Sequence, residues 1–80
     1  MSAIEVVGKN IRFYRMQLGW SQEKLAIRSR LSVNYVSALE RSAVNISVDN
    51  LEKIAKTLKI DIYLLFVEDR GSEVRNPLTS

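Results

Sequence analysis

Neither cysteine nor histidine occurs in this 80-residue chain. Their absence removes disulfides, thiol nucleophiles, zinc fingers, imidazole bases and most transition-metal sites in one step. No metal or other cofactor is expected, and a reducing compartment fits. No apolar run approaches the roughly 20 residues of a membrane span. The N-terminus has no basic segment followed by an apolar one, so it reads as unprocessed and a cytoplasmic location is expected. A glycine loop for phosphate and a convincing pair of carboxylates are also lacking. No catalytic residue is therefore assigned, and an enzyme is not expected. What is present is 46% hydrophobic and 26% charged, ordinary for a soluble helical domain. A chain this short buries only about 60–65% of its unfolded surface, which leaves it marginal alone and inclined to oligomerise.

The net charge of +3 is unevenly spread. Residues 1–60 hold ten Lys and Arg against five Asp and Glu, a net of +5. Residues 61–80 hold Arg70 and Arg75 against Asp61, Glu68, Asp69 and Glu73, a net of −2. The basic part is the patterned part, which points to a polyanionic partner. The plain alternative is that surface lysines keep a small protein soluble.

Ile4, Val7, Ile11, Tyr14 and Leu18 recur at steps of three and four, one stripe of a helix over about 3–18. Phe13 falls off that stripe. Gly19 suits its end, and Gly8 inside it is tolerated at about 1 kcal/mol against alanine. Ser21 caps a second helix over about 22–29, with Leu25, Ala26 and Ser29 inward. Ser32 caps a third over about 33–41, with Val36 and Leu39 inward. Residues 42–47 form a loop. Ser47 caps a fourth helix with Val48, Leu51, Ile54, Ala55 and Leu58 as its stripe. Asp61 caps a short fifth over about 62–67. The domain is expected to span 1–68, and residues 69–80, polar with Gly71 and Pro77, read as a flexible tail.

Only Arg30-Leu31-Ser32 separates the second and third helices. So short a link forces a steep crossing, the helix-turn-helix geometry. Ala26 permits close approach and Leu31 plugs the turn. Val33, Asn34, Tyr35, Ser37, Ala38 and Arg41 are then left facing outward. Trp20 reads as a lid on the core. Lys9, Arg12, Lys24, Lys53, Lys56 and Lys59 read as solvated charges.

These residues resemble the Cro and lambda-repressor-like (Xre-type) helix-turn-helix family. The resemblance runs through Ile11-Arg12, Tyr14-Arg15, Leu18-Gly19, Ser21-Gln22-Glu23, Leu25-Ala26, Leu31-Ser32, Leu39-Glu40-Arg41, Leu51, Ile54-Ala55, Leu58 and Leu65-Phe66, about residues 8–67. The run from Asn34 to Arg41, with Asn45-Ile46-Ser47, is similar to the restriction–modification controller proteins and their "TYIS-IER" helix and "RNLT" loop. The resemblance implies an all-α, five-helix fold that binds double-stranded DNA. Gln22 would bond a phosphate and brace the third helix. Val33, Asn34, Ser37 and Ala38 would read base edges, as Asn pairs with adenine and Val or Ala touches a thymine methyl. Ser32 would belong to the same surface, Arg41 and Asn45 would reach the backbone, affinity would lean on Arg28, Arg30 and Arg41, and Tyr35 would bond a phosphate or shift on binding. Arg15 and Glu40 would form an internal salt bridge.

Three departures stand out. The family often has glycine where this chain has Arg30, and a left-handed backbone would strain arginine. Relatives often carry arginine at the positions of Val33 and Val44. An aliphatic residue is usual at Tyr14. The fifth helix differs too: Ile62, Tyr63, Leu64, Phe66 and Val67 make it apolar nearly all round, which suits a two-fold dimer interface. A tighter internal core is the plain alternative. The expected function is a homodimeric regulator on a pseudo-palindromic operator, either a restriction–modification controller or phage-repressor-like, with RNA polymerase as a candidate partner. The alternative is an antitoxin or protein-interaction module on the same fold.

Overall fold

The computed structural model describes residues 1–68, and the tail expected at 69–80 lies outside them. Four α-helices follow in order: α1 (Ala3–Gln17), α2 (Gln22–Ser29), α3 (Val33–Glu40) and α4 (Val48–Leu58). A 3-10 helix, Ile62–Phe66, comes last. No strand occurs among the described residues.

One punctuation is used four times. Ser2, Ser21, Ser32 and Ser47 each accept a backbone N–H three residues on, closing the free donors of a helix start. Glu5 completes a capping box with Ser2. The Ser2 backbone N–H and then its hydroxyl hold the Glu5 carboxyl below its ordinary range. Each helix also ends on a left-handed residue: Gly19, Arg30, Ser42 and Lys59. The next N–H reaches back five residues, as from Leu31 to the Ala26 carbonyl at 2.9 Å and from Ile60 to that of Ala55 at 3.0 Å. Only glycine adopts that backbone without strain.

Arg30, at φ 61° and ψ 41°, therefore carries the strain its sequence position implies. A left-handed L-residue costs about 1–2 kcal/mol, part of which glycine returns through its freer unfolded chain. Arg30→Gly is expected to raise the unfolding free energy by about 0.5–1 kcal/mol, seen as a rise of a few degrees in thermal midpoint.

Ile11, Leu25, Val36, Leu39, Ile54 and Leu65 fill the centre of the core, with Val7, Ala26, Leu51, Ala55 and Leu58 around them. Trp20, Leu31, Val44, Ile46, Ile60 and Ile62 close its edges. Val48, expected in the α4 stripe, is 70% exposed instead. It is the first residue after the cap, where the chain has not yet turned onto the core. Leu18, also expected in the α1 stripe, is exposed, because it is the cap that follows Gln17 and lies past the helix's inner face. Val6 is buried as well, one turn before Asn10, the α1 residue that bonds the 3-10 helix.

The short fifth helix expected over about 62–67 is present as a 3-10 helix, Ile62–Phe66. It is a single tightened segment, and Asp61 makes no side-chain cap bond to it. Asn10 explains what holds it. This buried α1 amide donates from Nδ2 to the carbonyls of Leu65 and Val67, both at 2.9 Å, and of Leu64 at 3.3 Å. The carbonyls of Leu65 and Val67, at the end of the 3-10 segment, thus find their donor in a side chain from the far end of the chain.

Candidate nucleic-acid interface

At about 100° per residue, Val33, Ser37, Arg41, Asn34 and Ala38 fall on one contiguous arc of α3, roughly 140° wide. Val36 and Leu39 are buried on the other side. Val33, Asn34 and Arg41 are exposed, while Ser37 and Ala38 are half-buried. The side chains of Asn34 and Arg41 have no bonding partner among the described residues. The arc thus offers an amide, a hydroxyl, two apolar surfaces and a terminal cation. Those groups match the acceptors, donors and methyls on base edges in a major groove.

A buried network fixes the arc. Arg15 Nε donates to Glu40 Oε2 at 2.6 Å and Arg15 Nη2 to Oε1 at 2.9 Å. Arg15 Nη1 donates to the Trp20 carbonyl at 2.7 Å. Gln22 Nε2 donates to Glu40 Oε1 at 3.0 Å. The carboxylate raises the Arg15 pKa further, against the opposing effect of burial. One side chain of α3 is thereby tied to α1 and to the start of α2, and Arg15 in turn holds the α1–α2 turn. The rotation of α3 about its own axis is set by that tie.

The other expected site residues take different places. Ser32 is spent as the α3 cap, accepting from the Tyr35 N–H at 3.1 Å. Gln22 is half-buried on Glu40, so it braces α3 directly. Arg30 is exposed in the turn and Asn45 in the α3–α4 loop. The Arg28 guanidinium lies over the Trp20 ring, 5.2 Å from its centre, with Lys24 Nζ at 5.4 Å from the same ring. That row of α2 is separate from Glu23 and Ile27, which with Val33 line a shallow groove. Tyr35 accepts a hydrogen bond at its hydroxyl from Asn50 Nδ2 on α4, at 3.2 Å. Nothing in the local pattern marks Asn50, which reads as an ordinary first-turn residue after Ser47. Among the segment 62–67, Leu65 is buried, Ile62, Leu64 and Val67 are half-buried, and Tyr63 and Phe66 are 61% and 51% exposed.

No cluster of metal-ligating side chains occurs among the described residues. Nor is any helix among them long and apolar enough to cross a membrane.

The family model described as helix-turn-helix matches residues 11–65. The chain belongs to that family, in its Xre-type branch. It is 44% identical over 62 residues to a hypothetical transcription factor of Neisseria meningitidis serogroup B, covering 78% of this helix-turn-helix chain and 58% of that protein. The chain thus spans little more than half of that relative's length. A crystal structure of the Neisseria hypothetical transcription factor NHTF superposes with a TM-score of 0.84 at 36% identity, over 92% of this chain and 85% of that one. Control protein C.BamHI of Bacillus amyloliquefaciens is 43% identical over 54 residues, 66% of this chain and 67% of its own. The restriction–modification controller protein C.Esp1396I, solved as a tetramer with its natural 35 base-pair operator, gives a TM-score of 0.75 at 32% identity, over 82% and 87% of the two chains.

Proposed function

We propose that this chain is a sequence-specific, double-stranded DNA-binding transcriptional regulator of the controller type, acting as a homodimer on a pseudo-palindromic operator. In this reading α2, residues 30–32 and α3 are the DNA-reading helix-turn-helix. Val33, Asn34, Ser37 and Ala38 meet base edges, while Gln22, Arg30, Tyr35, Arg41 and Asn45 meet phosphates. Phosphate contacts fix register and base contacts supply choice. The observation that carries the reading is the α3 arc, chemically varied and exposed at Val33, Asn34 and Arg41, held in rotation by the Arg15–Glu40–Gln22 network. The operator complex of the C.Esp1396I relative supports it.

The dimer rests on Tyr63 and Phe66, large apolar side chains left exposed beside half-buried Ile62, Leu64 and Val67. A two-fold axis through that segment would set the two α3 helices about 34 Å apart, one turn of DNA.

Random-site selection on duplex DNA tests both parts. A pseudo-palindromic site is expected, with affinity falling steeply as salt rises. Asn34→Ala should cost about 1–3 kcal/mol and relax the preference at one base position per half-site. Phe66→Glu should yield a monomer by sedimentation that protects only a half-site. Failure to enrich any motif at low salt would end the DNA-reading proposal. A variant at Phe66 that stays dimeric would move the interface elsewhere.

A further inference from the structure

Tyr35 and Asn50 are the third residues of α3 and α4, and each has its backbone N–H held by the serine cap of its own helix. Both first turns are thus fixed before the side chains meet. Asn50 Nδ2 donates to the Tyr35 hydroxyl at 3.2 Å. An amide nitrogen has no lone pair to offer, so the phenol oxygen can only accept there. The phenol's single proton is left to donate elsewhere. Tyr35 is half-buried on the flank of α3 beside Ala38, at the border of the exposed arc. A group at that border meets the sugar–phosphate wall of a groove and not its floor.

We propose that Asn50 is a positioning residue for DNA binding: by donating to the Tyr35 oxygen it aims the phenol proton outward, at a DNA phosphate. The inference rests on the DNA-reading role proposed above. Asn50 touches no DNA itself. It polarises the phenol in the favourable sense, since a hydroxyl that accepts one hydrogen bond donates the next more strongly.

The test is a double-mutant cycle on the selected operator at fixed salt, using the full chain. Asn50→Ala and Tyr35→Phe are each expected to weaken binding about five- to tenfold. The double variant should bind no worse than Tyr35→Phe alone, because without the phenol proton Asn50 has nothing to aim. Asn50→Asp gives a second arm that does not depend on weakened folding. An acidic side chain suits the first turn of a helix, so the thermal midpoint should hold or rise. Yet the carboxylate accepts the phenol proton, and binding should fall further than in Asn50→Ala, with the excess reduced in the Tyr35→Phe background. Multiplicative losses in the cycle would overturn the proposal, as would an Asn50→Ala variant that binds like the wild type. If the wild-type chain selects no operator, the DNA-reading role falls and this inference with it. Multiplicative losses on a selected operator remove only the part assigned to Asn50.

Discussion

Truncating Glu40 to alanine is expected to lower the unfolding free energy by about 3–5 kcal/mol, measured from urea midpoints. The side chains of Arg15 and Glu40 are only 12% and 4% exposed. Both carboxylate oxygens are engaged, one by Arg15 Nε and the other by Arg15 Nη2 and Gln22 Nε2. Removing them strands a guanidinium whose remaining bond is to the Trp20 carbonyl. A chain of this size has roughly 4–12 kcal/mol in total, so the variant should sit near its unfolding threshold. Glu40→Gln keeps one acceptor oxygen and should lose less. The orphaned charge is the main penalty, so Arg15→Met with Glu40→Leu should recover most of the stability. That double variant should nevertheless bind DNA poorly, because Gln22 has lost the group that orients it and α3 the tie that fixes its rotation. The salt dependence separates this pair from a surface one: a buried bridge changes little between low and moderate salt, an exposed one fades. A loss below about 1 kcal/mol for Glu40→Ala would mean that solvent screens the pair as it does on a surface.

How far the sequence carried the fold depends on the range over which each feature is written. Helix starts were legible because Ser21, Ser32 and Ser47 act on N–H groups three residues away. The inner faces of α2 and α3 were legible because Leu25, Ala26, Val36 and Leu39 recur at helical spacing. Helix ends were half legible: Gly19 advertises a left-handed residue, whereas Ser42 and Lys59 adopt the same backbone without the glycine that signals it. The short fifth helix is legible in its pattern, but its 3-10 form and its tie to Asn10 are not, since the residue that binds its carbonyls lies more than fifty residues earlier in the chain. Val48 was misread because periodicity cannot see where a helix first meets the core. In the candidate site the α3 arc followed from its pattern. The stacking of Arg28 on Trp20 and the Asn50 bond to Tyr35 did not, since both depend on which rows of neighbouring helices face each other.

Gly8 is where local propensity gives the wrong sign. In an isolated helix, alanine there would gain about 1 kcal/mol. In the folded chain Gly8→Ala is expected to lose about 2–3 kcal/mol. An added Cβ would overlap the Leu39 carbonyl oxygen, and would lie 3.0 Å from Ser42 Oγ and 3.3 Å from the Glu40 carbonyl oxygen. Ser42 Oγ is the end of a short side chain and could turn away. The Leu39 oxygen is backbone and is already held by the Ser42 N–H at 3.0 Å, so it cannot swing clear. Relief then requires α1 to lift from the C-terminal end of α3, drawing Val7 and Ile11 out of the core. Gly19→Ala is the informative control. No atom lies within 4 Å of its added Cβ, but its φ of +72° penalises any side chain, so a loss nearer 1 kcal/mol is expected. The two glycines are separable by a second substitution. Ser42→Ala should leave the Gly8→Ala loss largely unchanged, because the carbonyl and not the hydroxyl is the obstacle. A Gly8→Ala variant more stable than the wild type would mean that α1 and α3 can separate freely, and the close crossing would not be what seats α3 against the core.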